Sequence, residues 1–261
     1  MILQPRQTKS PVPEPSLPQP GESSQTIMED RWYGRALPPV LISVVLGLLA
    51  WVEWQHVIFK SRPMPWPPTI LFLISVPFAA WRIRTGLAEL RQRGQGVHGE
   101  RIVGQLLENL RSVGCKIYHD IAEDGYNIDH VIIGPHGVFA IETKTISKPL
   151  RGQAEVVFDG ETVTIGGYQP DRDPVIQARA AARSIRKILH EMTGQEPNVI
   201  PVLLYVNWFV EPNPRDADVI VMNQEYFLKS FDRLQDRNTL QTPQVEALAA
   251  RMESYLREKV K

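Results

Sequence analysis

The 261-residue sequence holds a single cysteine, Cys115. No disulfide can therefore form within the chain, which excludes a small secreted scaffold and suits a reducing compartment. Cys115 sits in an apolar, strand-like run and reads as a small core residue. Net charge is also absent, because 29 Lys and Arg balance 29 Asp and Glu. With no overall basic coat, any cationic surface for a polyanion must be local. The six histidines show no H-x-x-H spacing and no C-x-x-C pair exists, so a structural zinc site is not expected. No G-x-x-x-x-G-K loop occurs, and no nucleotide cofactor is expected. Internal repeats are missing as well.

Residues 1–30 lack apolar side chains in any pattern. They carry Pro5, Pro11, Pro13, Pro15, Pro18 and Pro20 among Gln, Ser and Glu, a composition expected to stay disordered. The first apolar run begins too late, and without a cleavage-type site, for a secretory signal. Two uncharged runs follow, ALPPVLISVVLGLLAWV at 36–52 and PMPWPPTILFLISVPFAAW at 63–81. Each approaches the ~20 residues that a helix needs to cross a bilayer. Trp51, Trp54, Trp66 and Trp81 stand near their ends, where interfacial aromatics belong. Neither run has a polar face, which argues against two helices of a soluble core. Membrane helices are expected at about 36–57 and 64–82.

Orientation follows from the flanking cations. Arg31 and Arg35 precede the first run, Lys60 and Arg62 separate the two, and Arg82, Arg84, Arg91 and Arg93 follow. The positive-inside rule then places both termini of a multi-pass cell-membrane protein in the cytoplasm. Gly94 and Gly96 mark a linker over 83–96.

From residue 97 the pattern is that of an α/β domain, expected over 97–235, with a C-terminal helix over 236–261. HGERIVGQLLENLRSVG has helical periodicity, with Ile102, Val103, Leu106, Leu107, Leu110 and Val113 inward. CKIYHDI, NIDHVII and VFAIETKTI read as strands. EVVF and TVTI flank Asp159-Gly160, a hairpin turn signal. The helix beginning DPVIQ is capped by Asp173 and opened by Pro174. NVIPVLLYV and ADVIVM are buried strands, and further helices are expected from Gln224 to Phe231 and from Thr242 to about Glu258.

The hairpin IDHVIIGPHGVFAIETK carries the chemistry. Pairing outward from Gly134–Gly137 sets Ile133 against Val138, Val131 against Ala140 and Asp129 against Glu142. Opposed residues have Cβ atoms ~4.5–5.5 Å apart, and Lys144 shares the face of Glu142. Two carboxylates at that separation repel by roughly 3 kcal/mol at an effective dielectric near 20. Lys144 offsets part of this, and a hard divalent cation such as Mg²⁺ or Mn²⁺ would offset more. Such a site suits an anionic substrate such as a phosphodiester. Taken alone, E-x-K on a strand is more often a solvated ion pair. Convergence on a hairpin apolar on both faces sets this one apart, since an unpaired charge there is costly.

These motifs resemble the D-(D/E)-x-K nuclease superfamily, and more closely the nuclease-related domain (NERD) family, over about residues 97–235. The matching pieces are GVHGERIVGQLL, NIDHVIIGPHGVFAIETKT and DPVIQ. The resemblance implies a restriction-endonuclease-like fold, a central mixed β-sheet flanked by helices, here preceded by the two-helix transmembrane hairpin. It also implies metal ligation by Glu100, Asp129 and Glu142, catalytic assistance by Lys144, and completion of the site by Gln177. Glu100 has independent support, since it shares a helical stripe with Val103, Leu107 and Leu110. The family pattern commonly has Asn where this chain has Asp173. Arg179, Arg183, Arg186 and Lys187 lie on the helix after Gln177 and are candidate phosphate contacts, although a solvated face is the commoner reading of such a stripe. His130 should point away from Asp129.

Three functions compete at this point. One is a membrane-anchored, divalent-metal-dependent nuclease acting on DNA or RNA at the cytoplasmic face. Another is a catalytically silent nucleic-acid-binding or signalling module with the same fold; a membrane scaffold for another protein is a third reading.

Overall fold

The computed structural model describes residues 19–20, 22–58, 65–123, 126–148, 154–193, 197–234 and 239–259. Helix α1 (Glu22–Ile58) is followed by α2 (Trp66–Leu107). The two pack together through small side chains of α1. Ala36, Ser43 and Ala50 are buried while Leu37, Leu41, Val44, Leu48 and Trp51 face outward. Trp54 donates its indole N–H to Thr69 Oγ1 at 3.1 Å and meets the Trp66 ring edge-on. Ala36–His56 and Trp66–Leu87 are long and apolar enough to cross a membrane, and only 22% and 6% of them is buried.

The α/β body follows in the order β1 (Lys116–Glu123), β2 (Tyr126–Gly134), β3 (Gly137–Lys144), β4 (Glu155–Phe158), β5 (Val163–Ile165), α3 (Pro174–Thr193), β6 (Val199–Tyr205), β7 (Phe209–Val210), β8 (Ile220–Asn223), α4 (Gln224–Ser230) and α5 (Thr242–Lys259). A mixed five-stranded sheet has the order β1-β2-β3-β6-β8, antiparallel through the first three strands and parallel afterwards. A smaller sheet has the order β5-β4-β7.

Alternation along the strands divides the core. Val131, Ile133, Val138 and Ala140 meet Ile185 and Leu189 of α3 and Met252 of α5 on one face. Ile132, Phe139 and Ile141 meet Val103 and Leu107 of α2 and Phe227 of α4 on the other. β2 and β3 are therefore covered on both sides, which explains their near-continuous apolar sequence. Cys115 is buried against Gly134, where an added Cβ would lie 2.4 Å from its sulfur.

Several expectations change. Residues 22–30 of the expected disordered tail are helical, because α1 starts soon after Pro20, the last proline before Pro38. Residues 1–18 lie outside the described residues, as do Lys60 and Arg62. The expected linker at 83–96 is unbroken helix, continuous from Trp66 through Leu107. An isolated glycine costs a helix only ~1 kcal/mol, and strong helix formers precede Gly94. Val113 is exposed rather than inward. The chain tightens into a 3-10 turn at Glu108–Val113, capped by Gly114 in the left-handed region, and the tighter winding rotates Val113 off the apolar stripe. Strand β7 was not anticipated.

Candidate active site at the open end of the hairpin

The register of β2 and β3 sets Ile133 against Val138 and Val131 against Ala140, and its ladder ends at His130 and Ile141. The ladder of β1 and β2 pairs His119 with His130 and Ile121 with Ile128, passing over Asp120 and Asp129. Asp120 has a φ of 51°, a left-handed conformation that Asp tolerates better than most residues. Both ladders are thus interrupted at Asp129. Its carboxylate turns instead to Thr143, accepting that residue's backbone N–H at Oδ2 over 2.7 Å.

Beyond the interruption stand Glu142 and Lys144. The ammonium of Lys144 donates to Glu142 Oε1 and to Gln177 Oε1, each at 2.7 Å. Gln177 reaches this point because Asp173 caps α3 by accepting the N–H of Val175 at 2.8 Å, which fixes the first turn of the helix over the strand ends. On the sheet's other side α2 brings in Glu100. The backbone of α2 approaches so closely at Gly99 that an added Cβ would lie 1.6 Å from Thr145 Oγ1.

The electrostatics record the crowding of acids. Burial, with the neighbouring charges of Asp120 and Glu142, pushes the Glu100 carboxyl up to about 7, against an opposing pull from Lys144. Asp129 is raised well above the ordinary carboxylate range by burial and then by Glu142 and Glu100, against the bond from Thr143. Glu100, Asp129, Glu142, Lys144 and Gln177 are thus gathered into one site.

The cationic residues of α3 divide. Arg179 is held in an ion pair with Asp218 at 2.7 Å and also donates to the Gly160 carbonyl. Lys187 stands 3.7 Å from Glu191 on the exposed side of α3, where Arg183 and Arg186 are also exposed. His130 faces away from Asp129, as its strand position required, and its Nδ1 lies 2.9 Å from His119 Nδ1.

Two residues of the site had been overlooked. Asp120 is not among the residues named from the sequence, yet its charge acts on Glu100 and its Oδ1 accepts from Asn127 Nδ2. Its signal was its place in the register opposite Asp129. Tyr205 pairs with Lys144 across β3 and β6. Its hydroxyl is buried without a hydrogen-bond partner, and that burial, with the charges of Asp173 and Glu142, pushes the phenol up. It had been read only as one more apolar strand residue.

A divalent cation can be judged against these groups. Among the described residues no three His, Cys, Asp or Glu side chains form a ready-made ligand cluster. Mg²⁺ does not require one, since it binds through one or two carboxylates and fills its shell with water and substrate phosphate. Asp129 and Glu142 supply such a pair with Glu100 beside them, and their mutual repulsion is what a cation would relieve.

No curated protein and no solved structure matches the chain. Residues 95–206 match the family model of the nuclease-related domain, a stretch running from before Glu100 to just past Tyr205. Residues 95–206 are thus similar to a nuclease-related domain (NERD), and the gathered acids, lysine and glutamine lie inside that stretch.

Proposed function

We propose that the chain is a membrane-anchored, divalent-metal-dependent nuclease that hydrolyses phosphodiester bonds of DNA or RNA at the cytoplasmic face. The observation that carries this reading is the Lys144 ammonium, held 2.7 Å from both Glu142 and Gln177, beside Asp129 and Glu100. Asp129, Glu142 and Glu100 would hold Mg²⁺ or Mn²⁺. When bound, the ion supplies Lewis acidity toward a phosphoryl oxygen and a more acidic water. Lys144 places a fixed positive charge where negative charge develops on the phosphoryl group. Gln177 fixes the direction of that ammonium. Arg183 and Arg186 on the exposed side of α3 would meet flanking phosphates, with Lys187 beside them on loan from its Glu191 pair, while Arg179 stays with Asp218. The two apolar helices anchor the domain, and the excess of arginine outside them supports the cytoplasmic orientation.

The test is cleavage of labelled DNA and RNA by the full chain in detergent, with Mg²⁺ or Mn²⁺. Activity that disappears in Glu142→Gln and Lys144→Met supports the proposal. No cleavage by the wild type, or cleavage unchanged in both variants, overturns it. The hydrogen bonds that already engage Asp129 and Lys144 within the site favour a second reading, a catalytically silent nucleic-acid-binding or signalling module. Metal-independent binding that survives Glu142→Gln, without cleavage, would select it.

A further inference from the structure

Tyr205 ends β6 with a hydroxyl that no step so far employs. In the parallel register of β3 and β6 it stands beside Lys144, as Leu203 stands beside Glu142. Partners in such a ladder share a face, and residues two apart on a strand do too. The phenol therefore projects to the side of the sheet that carries Glu142, Lys144 and α3. Its ring is packed among Val156, Phe158, Val175, Ala178 and Leu203, which fixes the direction of its C–O bond. The hydroxyl is buried and has no hydrogen-bond partner among the described residues. Burial raises the phenol most, and the charges of Asp173 and Glu142 add to it, so the group keeps its proton and is a donor to any carboxylate it meets. A buried donor left without an acceptor is costly.

Two carboxylates act on this phenol, and they differ in freedom. Asp173 is fixed, because its Oδ1 caps α3 by accepting the N–H of Val175 at 2.8 Å. Glu142 is held through Oε1 by the Lys144 ammonium at 2.7 Å. That hold can be released, since Lys144 also donates to Gln177 at 2.7 Å and keeps this partner if Glu142 turns away. Ligation of a divalent cation by Glu142 calls for such a turn, because an ammonium in contact with the carboxylate repels a second positive charge beside it.

We propose that Tyr205 is a positioning residue for Glu142: when Glu142 leaves Lys144 for a divalent cation, the Tyr205 hydroxyl donates to its carboxylate and fixes its orientation. The inference rests on the metal-dependent reading above and deepens it. Hydrogen bonds from behind a ligating carboxylate commonly change metal affinity by about 10–100-fold.

The experiment pairs Mn²⁺ calorimetry with thermal melts in EDTA, on the full chain in detergent. The wild type is compared with Tyr205→Phe, Glu142→Gln and Tyr118→Phe. Tyr118 is the control, a buried tyrosine whose hydroxyl already donates to the Ala249 carbonyl at 3.1 Å. Tyr205→Phe should bind Mn²⁺ at least about tenfold more weakly, yet melt in EDTA no lower than the wild type, because it removes a donor that has no partner there. Tyr118→Phe should do the reverse, melting lower with Mn²⁺ affinity kept. Wild-type Mn²⁺ affinity in Tyr205→Phe overturns the proposal. So does a lower melt of that variant in EDTA, which would give the hydroxyl a structural partner instead. Mn²⁺ binding weakened by Glu142→Gln but not by Tyr205→Phe removes the role of Tyr205 alone. A wild type that binds no Mn²⁺ takes the metal-dependent nuclease reading down with it.

Discussion

Asp129 accepts the backbone N–H of Thr143 at 2.7 Å, so a side chain takes the place of a ladder bond where the β2–β3 pairing stops. The hairpin opens there, and the space beyond is where Glu142, Lys144 and Gln177 meet. A strand pair closed one residue further would have left the two acids as an ordinary cross-strand pair on a continuous sheet.

Lys144→Met should reduce phosphodiester cleavage by about 10²–10³-fold, the usual cost of losing one preorganised electrostatic partner, with little change in thermal stability. Lys144→Arg should restore only part of the rate, because a planar fork does not replace a point charge between Glu142 and Gln177. Single-turnover kinetics paired with thermal melts check both.

Divalent-ion binding should release protons. Glu100 is held up to about 7 and Asp129 is raised as well, and a cation favours the ionised forms of both. Apparent affinity for Mn²⁺ should strengthen as pH rises through 7, and weaken in Asp129→Asn and Glu142→Gln. Calorimetry in two buffers of different ionisation enthalpy reads the released protons directly.

Without metal, the same site should make stability fall with rising pH. Glu100 has its folded-state value raised above the ordinary 4.5. Its contribution is fully present below that value and is lost as pH climbs through about 7. Glu100→Gln should therefore gain on the wild type across this window, by at most about 3 kcal/mol. Denaturant melts of both proteins in EDTA at several pH values test the sign.

Gly99→Ala should damage activity more than stability. The new methyl would run into Thr145 Oγ1, and the easiest relief moves α2 away from β3, taking Glu100 with it. Glycine at 145 should return part of the lost rate. Cleavage assays on Gly99→Ala and the Gly99→Ala/Thr145→Gly pair decide this.

Gly134→Ala should destabilise the chain by about 1–3 kcal/mol, the range for an overpacked core, since its Cβ would lie 2.4 Å from Cys115 Sγ. Cys115→Ala makes room for it, so the double variant should be more stable than the sum of the two single changes predicts. Urea melts of the four proteins measure the coupling.

Much of the α/β body was legible because its strands are buried on both faces and its turns are explicit. The register of IDHVIIGPHGVFAIETK follows from a fixed turn and a period of two, which sets Ile133 against Val138 and Val131 against Ala140, whereas the expected Asp129–Glu142 pair lies past the point where the ladder stops. The cap at Asp173 and the hairpin around Asp159-Gly160 were equally local. What escaped depends on longer-range context. Asp120 joins the site only because β1 breaks its ladder with a left-handed residue, which no periodicity announces. Tyr205 is apolar by pattern and reaches the site through its hydroxyl alone. Gly94 and Gly96 suggested a break, but the helix formers around them kept α2 intact.

The unbroken course of α2 from Trp66 through Leu107 makes the apolar hairpin and the candidate site parts of one lever. A helix advances 1.5 Å and turns about 100° per residue, so the roll of one half sets the azimuth of the other. Because Glu100 rides on this shaft while Asp129 and Glu142 belong to the sheet, a twist or tilt imposed on the outer half reaches the acids as a change in their spacing. A displacement of the apolar hairpin would then be felt at the acids.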